Sequence, residues 1–254
     1  MAVLREGRSP ARRTRSIGST AALCGLVLLV FAVSLITVAN GRLNFDVYRI
    51  DLDVYRLGGH AWLTGRDLYG QLPPTSNGLN LGFTYPPISA VVMAPLSVVS
   101  ARLAGIVITA VTLGLMAAVI ALFLRTAGLT GPRRSWRLAL WLLPLAALLE
   151  PVRTNLAYGQ INVVLMALVS FDCLMPGTWW RVAGRPLGWP RGALVGAAAA
   201  MKLTPGVFVL YFLARRQWRA AATTVVSFFA VTGIGALSAP HDSVSYWTKM
   251  VFQT

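Results

Sequence analysis

Three of the chain's eight acidic residues fall within one dozen positions, the stretch FDVYRIDLDVYR from Phe45 to Arg56. Read as a helix, in which residues three and four apart are neighbours, Asp46 reaches Arg49, Arg49 reaches Asp53, and Asp53 reaches Arg56. Asp51 has Val47, Tyr48, Val54 and Tyr55 at those offsets and no basic neighbour. That makes Asp51 the candidate general base. Partial desolvation raises a carboxyl group's pKa toward the working pH, whereas an adjacent cation lowers it. The competing reading is that Asp51 caps or solvates an interfacial helix.

A second polar group stands in EPVRTNLAYGQINVV, where Glu150, Arg153, Asn155, Gln160 and Asn162 crowd one short connection between two apolar segments. Amides and a guanidinium supply fixed donors and acceptors that suit sugar hydroxyls and phosphate oxygens. An internally satisfied loop is the alternative. The third element is Lys202, a lone ammonium in GALVGAAAAMKLTPGVFVLYFL. An ionisable residue inside an apolar segment is expensive and marks a site or pathway. Near a membrane surface it would hold a lipid phosphate as a point charge; a snorkelling lysine is the alternative.

These groups need a membrane scaffold to position them. The chain is 56% hydrophobic and 12% charged, with a mean hydropathy of +0.64, which excludes an ordinary soluble domain. Residues 17–39, 103–124 and 220–239 are long enough to span about 30 Å of hydrocarbon as helices. Shorter apolar runs at 86–99, 138–149, 161–175 and 192–214 predict tilted, broken or interfacial pieces. Residues 1–16 hold five arginines and precede a run with no small-residue cleavage site, so they read as a cytoplasmic N-terminus before a retained helix.

With helix 17–39 running outward and 103–124 returning, residues 40–102 form a large outer loop with juxtamembrane helices. The arginines of RTAGLTGPRRSWR and PGTWWRVAGRPLGWPRG then lie inside, as the positive-inside rule requires. Residues 103–254 supply about six crossings and the start of a later outer loop. Segment 192–214 reads as a hairpin broken at MKLTP, because Pro205 interrupts a helix and a single crossing would export ARRQWR. Asp46, Asp51, Asp53, Asp67, Glu150 and Asp242 fall outside, and Glu6 and Asp172 inside.

The net charge of +15 does not indicate nucleic acid, because the arginines occupy short loops between apolar runs rather than one soluble face. Cys24 and Cys173 sit in apolar runs without a second ligand at metal spacing and read as small buried residues. His60 stands alone and reads as solvated or packed. In the outer loop, Trp62, Tyr69 and Tyr85 suit the headgroup layer, and FTYPP forces extended backbone just before a helix.

Taken in order, these stretches resemble the polyprenol-phosphate-mannose-dependent alpha-1,2-mannosyltransferases of glycosyltransferase family 87, within the GT-C superfamily of integral membrane enzymes. The resemblance rests on DLDVYRLGGHAWLTGRDLY, FTYPPISAVVMAPL, EPVRTNLAYGQINVVLMAL, RGALVGAAAAMKLTPGVFVLYFLARRQWR and SVSYW, from Asp51 to Trp247. It implies an all-α integral membrane protein, a GT-C-type multi-span helical bundle with a large first extracytoplasmic loop in the plasma membrane. It also implies inverting transfer of mannose from a polyprenyl-phosphate donor to a mannosylated lipid or lipoglycan acceptor on the outer face. The family's expected base matches Asp51. Substrate-binding candidates are Asp53, Tyr55, Tyr85, Glu150, Arg153, Asn155, Gln160, Asn162 and Lys202, with no metal ligand, no cofactor and no nucleic acid. Family members are longer and continue past SVSYW, so the sequence reads as a fragment, a truncated frame, or one of two chains.

Three rival functions follow. A polyprenyl-phosphate arabinose donor would make the protein an arabinofuranosyltransferase. A truncated relative would be inactive. A lipid or sugar transporter would show paired repeats with charges near the midplane, and no internal repeat is found.

Overall fold

The computed structural model describes residues 49–175, 180–182, 185–187 and 189–252. The expected first span at 17–39, Asp46 and Cys24 lie outside the described residues.

The order of elements begins with α1 (Ile50–Leu63), α2 (Pro87–Ser97) and α3 (Ala101–Thr126). Helix α1 is short and packs along α2. Gly59 lets the two approach closely, since a Cβ there would stand 2.8 Å from the Ala94 Cα, while Gly58 lies against the Phe83 ring. Pro86 is extended (φ −56°, ψ 151°) and Pro87 opens α2, the geometry that FTYPP predicts. The Ser100 hydroxyl accepts the Leu103 N–H at the start of α3. Helix α3 has 26 residues and an 18-residue stretch of mean hydropathy 2.6, enough to cross a bilayer.

Helices α4 (Pro132–Leu148) and α5 (Glu150–Tyr158) meet at 80°. Here the structure corrects the sequence reading: EPVRTNLAY is a helical arm, not a tight connection. Leu149 is extended (ψ 132°), Pro151 fits the first turn of α5, and Gly159 ends it in the left-handed region at φ 68°. Only glycine fits at 159, because a Cβ there would lie 2.8 Å from the Leu52 Cβ.

Helix α6 (Asn162–Leu174) is followed by a two-stranded antiparallel hairpin, β1 (Trp180–Val182) and β2 (Arg185–Leu187), the only strands among the described residues. Next comes α7 (Ala193–Met201). Buried Asp172 of α6, 1% exposed, fixes α7 to α6: one carboxylate oxygen accepts from Gly192 N at 2.9 Å and Trp189 Nε1 at 3.2 Å, the other from Val195 N at 2.9 Å. These bonds satisfy backbone donors that α7 leaves open at its N-terminus.

The chain breaks where MKLTP predicts. Lys202 is extended (φ −152°, ψ 126°), a 3-10 turn covers Thr204–Val207, and α8 (Phe208–Ala214) follows. Gly192 lies against Ala220 and Thr224, and Gly196 against Thr224 and Ser227, so α7 and α9 (Trp218–Ser238) run in the same direction. Helix α8 returns between them and brings Phe212 back into one cluster with Val195 and Ala220. Arg216 and Arg219 thereby border one hollow with Arg191. Helix α10 (Pro240–Thr248) and a last 3-10 turn (Met250–Phe252) complete the chain.

By length and composition, two described helices can cross a membrane, α3 and α9, or three if α4 and α5 are one bent span. Helices α2 and α6 and the stretch Thr204–Ala214 are shorter apolar pieces. The central core joins Leu52 and Tyr55 of α1, Met93 of α2, Ala104 and Ile108 of α3, Leu165 of α6, and Ala198 and Met201 of α7. The polar residues of the candidate site belong to these elements or to the connections beside them.

Candidate active site

Four sequence-predicted residues form one hydrogen-bonded chain. Lys202 Nζ donates to Asn162 Oδ1 at 3.0 Å, Asn162 Nδ2 to Gln160 Oε1 at 2.7 Å, and Gln160 Nε2 to Asp51 Oδ2 at 2.7 Å. The charged ends fix both amide orientations. An ammonium can only donate and a carboxylate can only accept, so each amide presents oxygen toward Lys202 and nitrogen toward Asp51.

Local structure explains the convergence. Asp51 lies in the first turn of α1. Gln160 follows the glycine end of α5, Asn162 opens α6, and Lys202 stands at the broken end of α7. Antiparallel α6 and α7 are held at their far ends by Asp172, which sets Lys202 level with Asn162. The Ser89 hydroxyl of α2 donates to the Met201 carbonyl at 2.6 Å and fixes the break itself. Ser89 and Asp172 were missed as positioning groups in the sequence. Each bonds backbone far away in the chain, which no local pattern reveals.

Two tyrosines close the site. Lys202 Nζ lies 5.5 Å from the centre of the Tyr85 ring, in cation–π range. The rings of Tyr85 and Tyr55 meet edge to face, 5.2 Å between centres, and the Tyr55 hydroxyl donates to that of Tyr85 at 3.3 Å. Burial pushes the Tyr55 phenol far above its ordinary value, with Tyr85 and Asp51 pushing the same way. Burial also raises Tyr85; the Tyr55 hydrogen bond lowers it and the Asp51 charge raises it. Both remain neutral donors at physiological pH. Beside Asn162, an apolar groove of about 550 Å³ runs between α6 and α8, lined by Leu165, Met166, Val169, Pro205 and Phe208.

The other predicted residues lie outside this chain. Asp53 accepts from Ser76 N and Ser76 Oγ, both at 2.8 Å, and stands 3.7 Å from Arg56 Nη1. Arg56 also donates to the Leu96 and Val99 carbonyls. Of the expected Asp–Arg ladder, the Asp53–Arg56 rung is present, while Arg49 turns to Thr109 Oγ1 of α3 at 3.0 Å. The cause is close packing: Arg49 lies against Gly105 and Gly159. On α5, Glu150 is exposed, Arg153 is half-buried with Nη1 unpartnered, and Asn155 is 3% exposed with neither side-chain atom bonded.

One further group was not legible in the sequence. Asp67, His241 and Asp242 bring ligand-type atoms within 4.8 Å of one another, the one such set among the described residues. Asp67 and His241 are exposed, and burial, with the neighbouring Asp67 carboxyl, holds the Asp242 carboxyl above its ordinary value.

The sequence profile of Glycosyltransferase family 87 matches residues 83–254. The polyprenol-phosphate-mannose-dependent alpha-(1-2)-phosphatidylinositol mannoside mannosyltransferase of Mycobacterium tuberculosis is 42% identical over 241 residues, covering 90% of this chain and 54% of that protein. Its namesake from Mycolicibacterium smegmatis is 46% identical over 223 residues, covering 82% and 48%. The M. smegmatis polyprenol-phosphate-mannose-dependent alpha-(1-2)-phosphatidylinositol pentamannoside mannosyltransferase is 35% identical over 219 residues, covering 84% and 48%. The chain spans about half the length of the curated relatives it matches. No solved structure matches it.

Proposed function

The chain belongs to glycosyltransferase family 87, and from that premise we propose that it transfers mannose from a polyprenyl-phosphate carrier to a hydroxyl of a phosphatidylinositol mannoside-type lipid. The printed names of its relatives support both substrates. The reaction takes place at the outer face of the plasma membrane, with the N-terminus inside.

The observation that carries this reading is the chain of hydrogen bonds from Asp51 to Lys202. It sets an acceptor of protons and a cation at opposite ends of one site. Asp51 takes the proton of the acceptor hydroxyl as its oxygen bonds to the anomeric carbon. The bond from that carbon to the phosphate oxygen breaks on the opposite side, and the electron pair leaves with the polyprenyl phosphate. A beta-linked donor thus gives an alpha product in one inverting displacement. Lys202 stabilises the charge developing on the leaving phosphate.

Gln160 and Asn162 hold the two ends in register, and the neutral phenols of Tyr55 and Tyr85 bound the sugar between them. Arg153 and Glu150 face the acceptor from α5. Asp53 and Asn155 support the outer loop and the helical arm. The groove between α6 and α8 takes the first isoprene units, because its polar end is Asn162, bonded to Lys202.

The test supplies membranes carrying the protein with radiolabelled polyprenyl-phosphate mannose and a phosphatidylinositol mannoside. Labelled lipid is expected from the wild type, with a fall of about 10²- to 10⁴-fold in Asp51→Asn. No transfer by the wild type overturns the activity, and an unchanged rate in the variant overturns the base. Product from a polyprenyl-phosphate arabinose donor alone overturns the sugar.

A further inference from the structure

The opposite face of α1 holds a second polar feature that the transfer reaction does not use. Arg49, Asp53 and Arg56 recur at helical spacing and, with Ser76, Ala101 and Arg102, wall a cavity of about 240 Å³. Asp51 and Tyr55 lie on the other side of the same helix, so the helix body, roughly 10 Å across, separates this cavity from the hydrogen-bonded chain.

Among the described residues, three guanidinium groups face one carboxylate there. Asp53 is bonded by Ser76 and lies 3.7 Å from Arg56, whose remaining donors bond the Leu96 and Val99 carbonyls at the end of α2. Two further cations line the cavity among the described residues. Arg49 is held by Thr109 and by its packing on Gly105, and its Nε is buried without a partner. Arg102 is exposed, with no hydrogen-bond or ion-pair partner among the described residues. Ala101 and Arg102 form the first turn of α3, a helix of 26 residues long enough to cross the bilayer. The cavity therefore sits at the level where lipid phosphates lie, and the backbone donors of that turn favour an anion.

We propose that this cavity binds the phosphodiester of an anionic lipid head group, with Arg102 and Arg49 as its cationic contacts and Asp53, Ser76 and Arg56 as the frame that holds them. The chemistry is that of a monoanionic phosphodiester next to a polyol. A bulk phospholipid and the inositol phosphate of a glycolipid acceptor both supply it. In the second case the helix between cavity and Asp51 separates a lipid phosphate from a hydroxyl several sugar units away. The site stands on its own geometry and does not depend on the transferase reading.

The test titrates the purified chain in neutral detergent micelles with dihexanoyl-phosphatidylinositol and follows binding by calorimetry. Dihexanoyl-phosphatidylglycerol, dihexanoyl-phosphatidylcholine and inorganic phosphate form parallel arms. Phosphatidylinositol should bind the wild type, with a dissociation constant about tenfold or more higher in Arg102→Gln, as expected for losing a charge-assisted hydrogen bond. Arg102→Lys should recover part of that loss. Equal binding of the glycerol lipid assigns the site to anionic phospholipids in general; preference for the inositol lipid assigns it to the acceptor class.

Wild-type affinity in Arg102→Gln overturns the proposal, as does phosphatidylcholine binding equal to that of phosphatidylinositol, or inorganic phosphate binding as tightly as the lipid. Arg102 is exposed and removing its charge does not disturb packing, so a folding defect does not cloud the result. Asp51→Asn should bind the lipid as the wild type does, so loss of transfer and loss of lipid binding are read apart.

Discussion

Asp51 and Lys202, 151 positions apart in the sequence, are the two ends of one chain of three hydrogen bonds through Gln160 and Asn162. The chain has a single direction, because every donor points toward Asp51 and every acceptor toward Lys202. Its two ends therefore differ in what they can do. One end can accept a proton, and the other can neutralise an anion.

Lys202 should govern the donor. Replacing a charge-assisted contact to phosphate by a neutral one costs about 1.5–3 kcal/mol, so Lys202→Gln should raise the KM for polyprenyl-phosphate mannose by about tenfold or more. Lys202→Arg keeps the charge and the ring contact with Tyr85, and should lose less. Initial rates across donor concentrations decide it, and an unchanged donor KM in Lys202→Gln removes Lys202 from the phosphate site.

Gln160 should act through Asp51. Gln160→Leu removes the donor that orients the carboxylate and leaves Lys202 in place. The expected result is a fall in kcat of about tenfold with donor KM held within about twofold. A residue that bound the sugar directly would raise KM instead, so the split between the two constants separates the roles.

Much of this site could be read from residue spacing. The unpaired Asp51, the amide-rich stretch and the lone Lys202 each stood out against an apolar background, and proline and glycine marked the break after Met201. Other features were hidden for physical reasons. The helical arm α5 looked like a loop because its nine residues hold few apolar side chains and little periodic signal, and its direction depends on Leu149 being extended. Arg49 was placed in a helical ladder, but a gap over Gly105 and Gly159 drew it to α3. Tertiary packing overrode the local pair. Asp172 and Ser89 bond backbone groups whose need arises only after α7 docks, so nothing near them in the sequence announces their task.

Asp172 should control the stability of the α6–α7 pair and, through it, the position of Lys202. Asp172→Ala leaves the Gly192 and Val195 N–H groups buried without an acceptor, a loss of about 2–6 kcal/mol at about 1–3 kcal/mol for each buried donor. The thermal midpoint in detergent should fall by several degrees. Asp172→Asn keeps one acceptor oxygen and should fall by less. Equal midpoints for wild type and Asp172→Ala would show that α7 is held by packing alone.

Asp242 should give the contact between the loop that carries Leu68 and α10 its own pH dependence. Its carboxyl is raised above the ordinary 3.8, first by burial, then by the hydrogen bond and charge of Asp67; the Leu68 N–H and His241 pull it partly back. A carboxyl whose folded pKa is raised favours the folded form when protonated. Its contribution is complete below the ordinary value and is lost as pH rises through the raised one. Thermal midpoints should therefore decline from about pH 4 upward on account of this group. Asp242→Asn keeps an oxygen for Leu68 N, now 3.1 Å from Oδ1, cannot ionise, and should flatten that part of the curve. The measurement is the midpoint of wild type and variant at each pH from 3.5 to about 7. A decline of the same size in both proteins assigns the pH dependence to another group and sinks the prediction.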